Sequence, residues 1–222
     1  MTGPPETACR SLTPEDLDQV VTIHCDAFPY SALTMLGRPV VARYYRWQFV
    51  GPHPFPYATG AWQGADLVGF IFGGTRHGAV SGFVRNSIGT IAVGLLKHPR
   101  AVGHLAAPKV LPVLRLVVRR PRSAGQAIET HGREAAPCDA APRPRSFGVL
   151  SIAVAPRVRG TGIAVELMEG AEQAALAAGY ESMHLTVDAG NGRAVRFYQK
   201  LGWRTSSPGG EGGQVMTKSL TT

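Results

Sequence analysis

The chain has 222 residues, 44% hydrophobic and 17% charged, which suits a globular protein with a true core and excludes a wholly disordered chain. A net charge of +8 favours an anionic partner, with cofactor phosphates, nucleotide-linked substrates, acidic carriers, membrane lipids and nucleic acid all qualifying. Three scattered cysteines, Cys9, Cys25 and Cys138, exclude a disulfide framework and offer no metal-ligand spacing, so a reducing, cytoplasmic location and no metal are expected.

The N-terminal MTGPPETACR lacks the apolar centre of a signal peptide. Residues 7–13 read as a short strand, and Thr13-Pro14-Glu15-Asp16 as a helix start with a Thr cap, an early Pro and acids in the first turn. Leu17, Val20, Val21, Ile23 and Ala27 then give an apolar stripe to about Phe28. Residues 29–34 read as a loop, and 37–50 as a second helix carrying Tyr44, Tyr45, Trp47 and Phe49. The aromatics of 28–50 suit either a pocket lining or a buried helix. Residues 57–63 and 66–73 are two strands joined at Gly64.

Composition then changes. Between Leu67 and Ile128 there is no acid, while nine Lys and Arg residues give +9. Helical pieces are expected near 87–97 and 107–119, and 121–146, rich in Ala, Pro, Arg and Gly, reads as a linker. The apolar runs at 88–96 and 110–118 are too short to span a membrane, and Arg115 interrupts the second. The basic stretch 76–122 could meet an anionic carrier or a membrane surface, or be a solvated face. No aromatic–basic pattern marks a nucleic-acid site.

Alternation resumes at Gly148. A strand to Val154, a loop at 157–162, a helix over 162–178, a strand over 184–187, a helix over 192–201 and a strand over 213–219 make the class mixed α/β.

The centre of the sequence is Arg159-Gly160-Thr161-Gly162-Ile163-Ala164, where a strand feeds a glycine-rich turn opening straight into a helix. First-turn N–H groups lack intrahelical acceptors and the helix dipole adds positive potential, so this turn suits a pyrophosphate, with Arg159 as a bidentate partner. It is neither a P-loop, lacking Gly-Lys-Ser/Thr, nor a full dinucleotide fingerprint. A plain strand–turn–helix connection would use the same glycines. The second constellation, Asn191 to Trp203, puts Ala194, Phe197, Tyr198 and Leu201 on one helix face, with Asn191 at the helix start.

Together RGTGIA (159–164) and NGRAVRFYQKLGW (191–203) resemble the Gcn5-related N-acetyltransferase (GNAT) superfamily. Motif similarity covers about 148–205, Trp203 replaces the usual Phe, and the general layout extends over 7–75. The resemblance implies one domain over 1–222, with a central, mostly antiparallel twisted sheet whose fourth and fifth strands splay apart and a basic insertion at about 76–146. It implies acetyl-CoA, or another acyl-CoA, as co-substrate. Backbone groups at Ile152, Ala153 and Val154 would hold the pantetheine arm, and Arg159 to Ala164 the pyrophosphate. Asn191 would contact a ligand amide, and Tyr198 would protonate the leaving thiolate.

The expected reaction is acetyl transfer to the primary amine of a small molecule such as an amino-sugar. A peptide or protein amine, or a non-catalytic anion- or membrane-binding module, are the alternatives, and a homodimer is compatible. The general base is not marked: Phe147, Gly148, Ser151 and Thr186 occupy the usual neighbourhood and none is basic. Asp188 and His184 are the best remaining titratable groups near the cleft, with capping of the 191–201 helix equally open to Asp188 and a structural or surface role to His184. Asp26, His24 and Tyr30 of the N-terminal helix and loop, or a water relay, are further options.

Overall fold

The computed structural model describes residues 6–51, 56–74, 83, 87–97, 146–209 and 213–221. Most of the basic stretch therefore lies outside the described residues, including the helix expected at 107–119 and the linker at 121–145.

The strand expected at 7–13 is β1 (Ala8–Ser11), followed by the 3-10 turn Pro14–Asp16 and helix α1 (Leu17–Ala27). The Asp16 carboxylate accepts from the Thr13 N–H at 2.9 Å and from its hydroxyl at 3.2 Å, fixing the entry. The segment 29–34 is not wholly a loop. Ser31 accepts the Thr34 N–H at 3.1 Å and starts the single-turn helix α2 (Ala32–Met35), too short to leave a periodic trace. Next come α3 (Arg38–Val50), β2 (Tyr57–Gln63), β3 (Asp66–Gly74) and α4 (Ile88–Lys97). The C-terminal half comprises β4 (Ser146–Val154), a 3-10 turn at Pro156–Val158, α5 (Ile163–Ala177), β5 (Ser182–Asp188), α6 (Gly192–Lys200), β6 (Arg204–Pro208) and β7 (Gly213–Ser219). Strand β6 escapes a reading by alternation because all five of its residues are exposed.

The seven strands form one sheet in the order β1-β2-β3-β4-β5-β7-β6. Every neighbouring pair is antiparallel except β4 and β5. Helices α1 and α3 cover one face and α5 the other. Strand β3 is buried on both faces, which explains its unbroken apolar run after Asp66. On the first face Tyr45 packs against Phe70 and Phe72, and Tyr44 and Tyr45 are core residues, so α3 is a buried helix. On the second, Ile163 and Leu167 close over Gly69.

The decisive irregularity lies in β4. Phe72 pairs with Ser151 and the next residue, Gly73, with Val149, so Leu150 is an extra residue without a partner in β3. Such a bulge bends its strand. Strand β4 pairs with β5 only at Ser146–Ser182, Phe147–Met183 and Gly148–His184, whereas β5 follows β7 all the way to Asp188. The two central strands therefore part beyond Gly148.

Beside the bulge, Gly73 leaves room for the Phe147 ring, which packs edge-on against Tyr57 and Tyr180. A Cβ at Gly73 would lie 2.4 Å from Phe147 Cζ. Gly73→Ala is expected to lower stability by about 1–3 kcal/mol, the typical range for overpacking, measured by urea denaturation.

Candidate active site

Beyond Gly148, among the described residues, no strand lies on the side of β4 that faced β5, so Val149 to Val154 present an open backbone edge to the cleft. This edge contains Ile152, Ala153 and Val154. It runs through Ala155 and the Pro156–Val158 turn into the glycine loop. Gly160 and Gly162 have φ of +89° and +96°, conformations that other residues rarely adopt, and no atom lies within 4 Å of where a Cβ would be at either. The Thr161 hydroxyl donates to the Val158 carbonyl at 2.8 Å and closes the loop on itself. Arg159 is exposed, and its Nε–H leans back towards the Val154 carbonyl at 3.5 Å.

Gly162 caps α5 without a side-chain acceptor. Val165 and Glu166 are the first helix residues to find a backbone acceptor, both at the Gly162 carbonyl. Ile163 is buried in the core while Ala164 is half-buried. The loop thus offers unpaired amides, positive helix-end potential and open space, a fit for a pyrophosphate.

Across the cleft, β5 leads into α6. Asn191 accepts the Ala194 N–H at 3.1 Å and caps that helix. The Asp188 carboxylate accepts the Gly190 N–H at 2.8 Å, shaping the turn before the cap. Tyr198 is 8% exposed, with its ring 6.0 Å from Trp203 and 5.2 Å from Phe197. Burial pushes its hydroxyl up to about 12, so it stays protonated through the physiological range.

His184 stands at the last paired position, above Gly148. Its Nδ1 is 2.8 Å from Ser146 Oγ, and a Cβ on Gly148 would come within 3.1 Å of its Nε2. The other residues considered as bases are dispersed. Tyr30 is 90% exposed, and Asp26 lines an open cleft of about 650 Å³ with Asp18, Thr22, Asp66 and Arg157. His24 is buried. Its Nδ1 is 2.8 Å from Tyr45 Oη, which is 2.9 Å from Ser151 Oγ on β4. Sequence reading considers Tyr45 only as an aromatic and Ser151 only as a non-base; nothing local signals a contact across 106 positions. Among the described residues no group of three or more His, Cys, Asp or Glu could hold a metal ion. No described helix is long and apolar enough to cross a membrane.

Residues 124–203 match the model of the acetyltransferase (GNAT) family. Over that stretch the chain is similar to the GNAT acetyltransferases. Its fold is that of solved N-acetyltransferases at low identity. A ribosomal-protein-S18-alanine N-acetyltransferase from Escherichia coli is 14% identical with a TM-score of 0.55, over 98% of this chain and 96% of that one. The PaiA N-acetyltransferase of Thermoplasma acidophilum, solved with coenzyme A, is 12% identical with a TM-score of 0.57, over 96% and 99%. An acetyltransferase from Thermus thermophilus is 13% identical with a TM-score of 0.55, over 96% of each chain. No curated protein matches by sequence. The parting of β4 and β5 is the splay that the sequence resemblance leads one to expect.

Two measurements follow from the site's geometry. Gly162→Ala forces a side chain onto a left-handed backbone, and should weaken binding of coenzyme A at least tenfold by calorimetry. Burial lowers the His24 imidazole to about 4 from its ordinary 6.5. The unfolded chain then binds the extra proton between those values, so folding stability should be full above pH 6.5 and fall as pH drops towards 4. Melting curves over that window test this, and the fall should be smaller in His24→Gln.

Proposed function

We propose that this chain is an acyl-CoA-dependent N-acetyltransferase that acetylates the primary amine of a small molecule. One observation carries the reading: the strand that loses its neighbour beyond Gly148 is the strand that ends in the uncapped glycine loop. A free strand edge suits a chain of amides such as pantetheine, and the loop at its end suits a pyrophosphate. Both features of coenzyme A are thus matched along one continuous path, from Ile152, Ala153 and Val154 to Arg159, Gly160, Thr161, Gly162, Ile163 and Ala164. The solved T. acidophilum relative was crystallised with coenzyme A, which supports the same cofactor class here.

The acyl-CoA would supply a thioester. A backbone N–H of the open β4 edge polarises its carbonyl, a contribution of about 3 kcal/mol per donor. The acceptor nitrogen attacks directly. Tyr198 provides the hydrogen for the departing sulfur; with its hydroxyl held near 12, it is present as the donor at every working pH. Asn191 orients the start of the helix that carries Tyr198. We assign Asp188 to shaping that start through Gly190, in preference to taking a proton from the acceptor. The +9 stretch disfavours a basic peptide and favours a small acceptor, an amino-sugar among them.

Titrating the protein with acetyl-CoA and following CoA release with a panel of primary amines tests the reading. Lack of binding at millimolar acetyl-CoA would sink it. Tyr198→Phe should cut turnover at least tenfold and leave acetyl-CoA affinity within about twofold. Undiminished turnover would remove Tyr198 from the chemistry.

A further inference from the structure

An ammonium acceptor, R–NH3+, carries two protons more than the amide nitrogen it becomes. As the C–N bond forms and the C–S bond breaks, one proton ends on the CoA sulfur and the other must reach solvent. A primary amine with an ordinary pKa of about 10.4 is almost wholly charged at neutral pH, so it gives up that second proton only if something receives it. No carboxylate or basic side chain is found on β4 to do so.

Ser151 lies on β4 just past the bulge, in the part of the strand that β5 has left, and is half-buried. Its hydroxyl is 2.9 Å from Tyr45 Oη on α3. Tyr45 Oη is 2.8 Å from His24 Nδ1 on α1, and His24 Nε2 is 3.2 Å from Ser31 Oγ. The Ser31 hydroxyl donates to Thr34 Oγ1 at 3.0 Å, on the half-buried turn after α1. Hydrogen counting orders the whole series. Ser31 has one hydroxyl hydrogen and gives it to Thr34, so His24 Nε2 carries a hydrogen and donates to Ser31. Neutral His24 then has a lone pair on Nδ1, which accepts from Tyr45, and the Tyr45 oxygen accepts from Ser151. Every O–H and N–H points the same way, from the cleft towards the outer turn.

We propose that Ser151, Tyr45, His24, Ser31 and Thr34 form a proton relay that carries the acceptor's surplus proton out of the cleft. The inference rests on the acyltransferase reading above. When the amine passes a proton to Ser151 Oγ, Ser151 hands its own to Tyr45, Tyr45 to His24 Nδ1, His24 releases its Nε2 hydrogen to Ser31, Ser31 passes its own to Thr34, and Thr34 gives one to water. One proton enters, one leaves, and each group ends neutral. The surroundings favour passage over storage. Burial alone lowers the His24 imidazole, so it does not trap the proton; burial, with Tyr44 beside it and Cys25 of α1, raises Tyr45 well above its ordinary value against the lowering effect of the Ser151 hydrogen bond. The remaining neighbours of the imidazole include the Phe28 and Tyr45 rings, at centroid distances of 5.1 and 5.4 Å.

The test compares wild type with Ser151→Ala, Ser151→Thr and Tyr45→Phe, using acetyl-CoA and three acceptors: tyramine, spermidine and glucosamine. CoA release is followed from pH 6 to 10. Ser151→Ala and Tyr45→Phe should lose at least tenfold in kcat at pH 7 and regain it steeply towards pH 10, as a growing share of the amine arrives uncharged. Acetyl-CoA affinity should be unchanged, and Ser151→Thr, which keeps the hydroxyl, should retain most of the rate. An independent readout needs no substrate: nitrogen NMR of His24 should find a neutral ring with its hydrogen on Nε2 from pH 8 to 5. Wild-type rates and pH profiles in folded Ser151→Ala would overturn the relay alone, as would an Nδ1–H ring. No turnover by wild type with any acceptor would overturn the acyltransferase reading and the relay with it.

Discussion

One extra residue sets the geometry of this molecule. Strand β4 must stay paired to β3, because β3 is buried on both faces and supplies much of the core. With Leu150 inserted, the strand can keep that pairing only by bending, and the bend takes it away from β5. Strand β5 does not follow, since β7 holds it along its whole length. The result is a sheet with an open wedge at its centre, where a continuous parallel pair would otherwise bury its backbone groups. Exposed strand edges are normally guarded; an interior one left bare is a place for an extended ligand with amides of its own.

The two faces of the sheet then take different tasks. On the α5 face Gly69 brings the helix close to β3, which anchors the helix whose first turn faces the glycine loop. On the α1 and α3 face the core is aromatic, yet it contains His24, Tyr45 and the Ser151 hydroxyl. An unmatched buried polar group costs about 1–3 kcal/mol, so such a series is tolerable only when each donor meets an acceptor. Here it does, and because each group has a single direction left to it, satisfying the chain also orients it. The apolar surroundings keep its members neutral.

Much of this was legible in the residues. The apolar stripe of α1, the alternation in β5 and the Asn191 cap come from local periodicity and local hydrogen bonding, which a linear reading captures. The glycine loop was legible for the same reason: a positive φ and an open helix start are demands on neighbouring residues. What was missed is non-local or too short. Strand β6 is exposed throughout and so has no buried face to alternate with. Helix α2 is one turn. The bulge leaves no mark in Gly148 to Val154, which reads as one strand, because the shift is visible only against β3. Tyr45 and Ser151 meet across 106 positions, and nothing near either predicts the other.

The absence of a base on β4 has a physical cause as well. At Gly148, the last residue paired with β5, an added Cβ would sit 3.1 Å from both the Gly74 carbonyl oxygen and His184 Nε2. Both contacts are tighter than ordinary packing, and the first is with backbone of the central β3–β4 ladder. A carboxylate side chain at this point of the wedge would therefore have to displace the imidazole or loosen the ladder. Past the bulge, Ser151 turns its hydroxyl to α3, Ala153 is small and buried, and Ile152 and Val154 are aliphatic. The strand that best suits the donor is thereby stripped of groups able to hold a proton. In the proposed reaction, proton transfer from the acceptor would be served from another element, and the hydroxyl that β4 presents past the bulge leads directly to one.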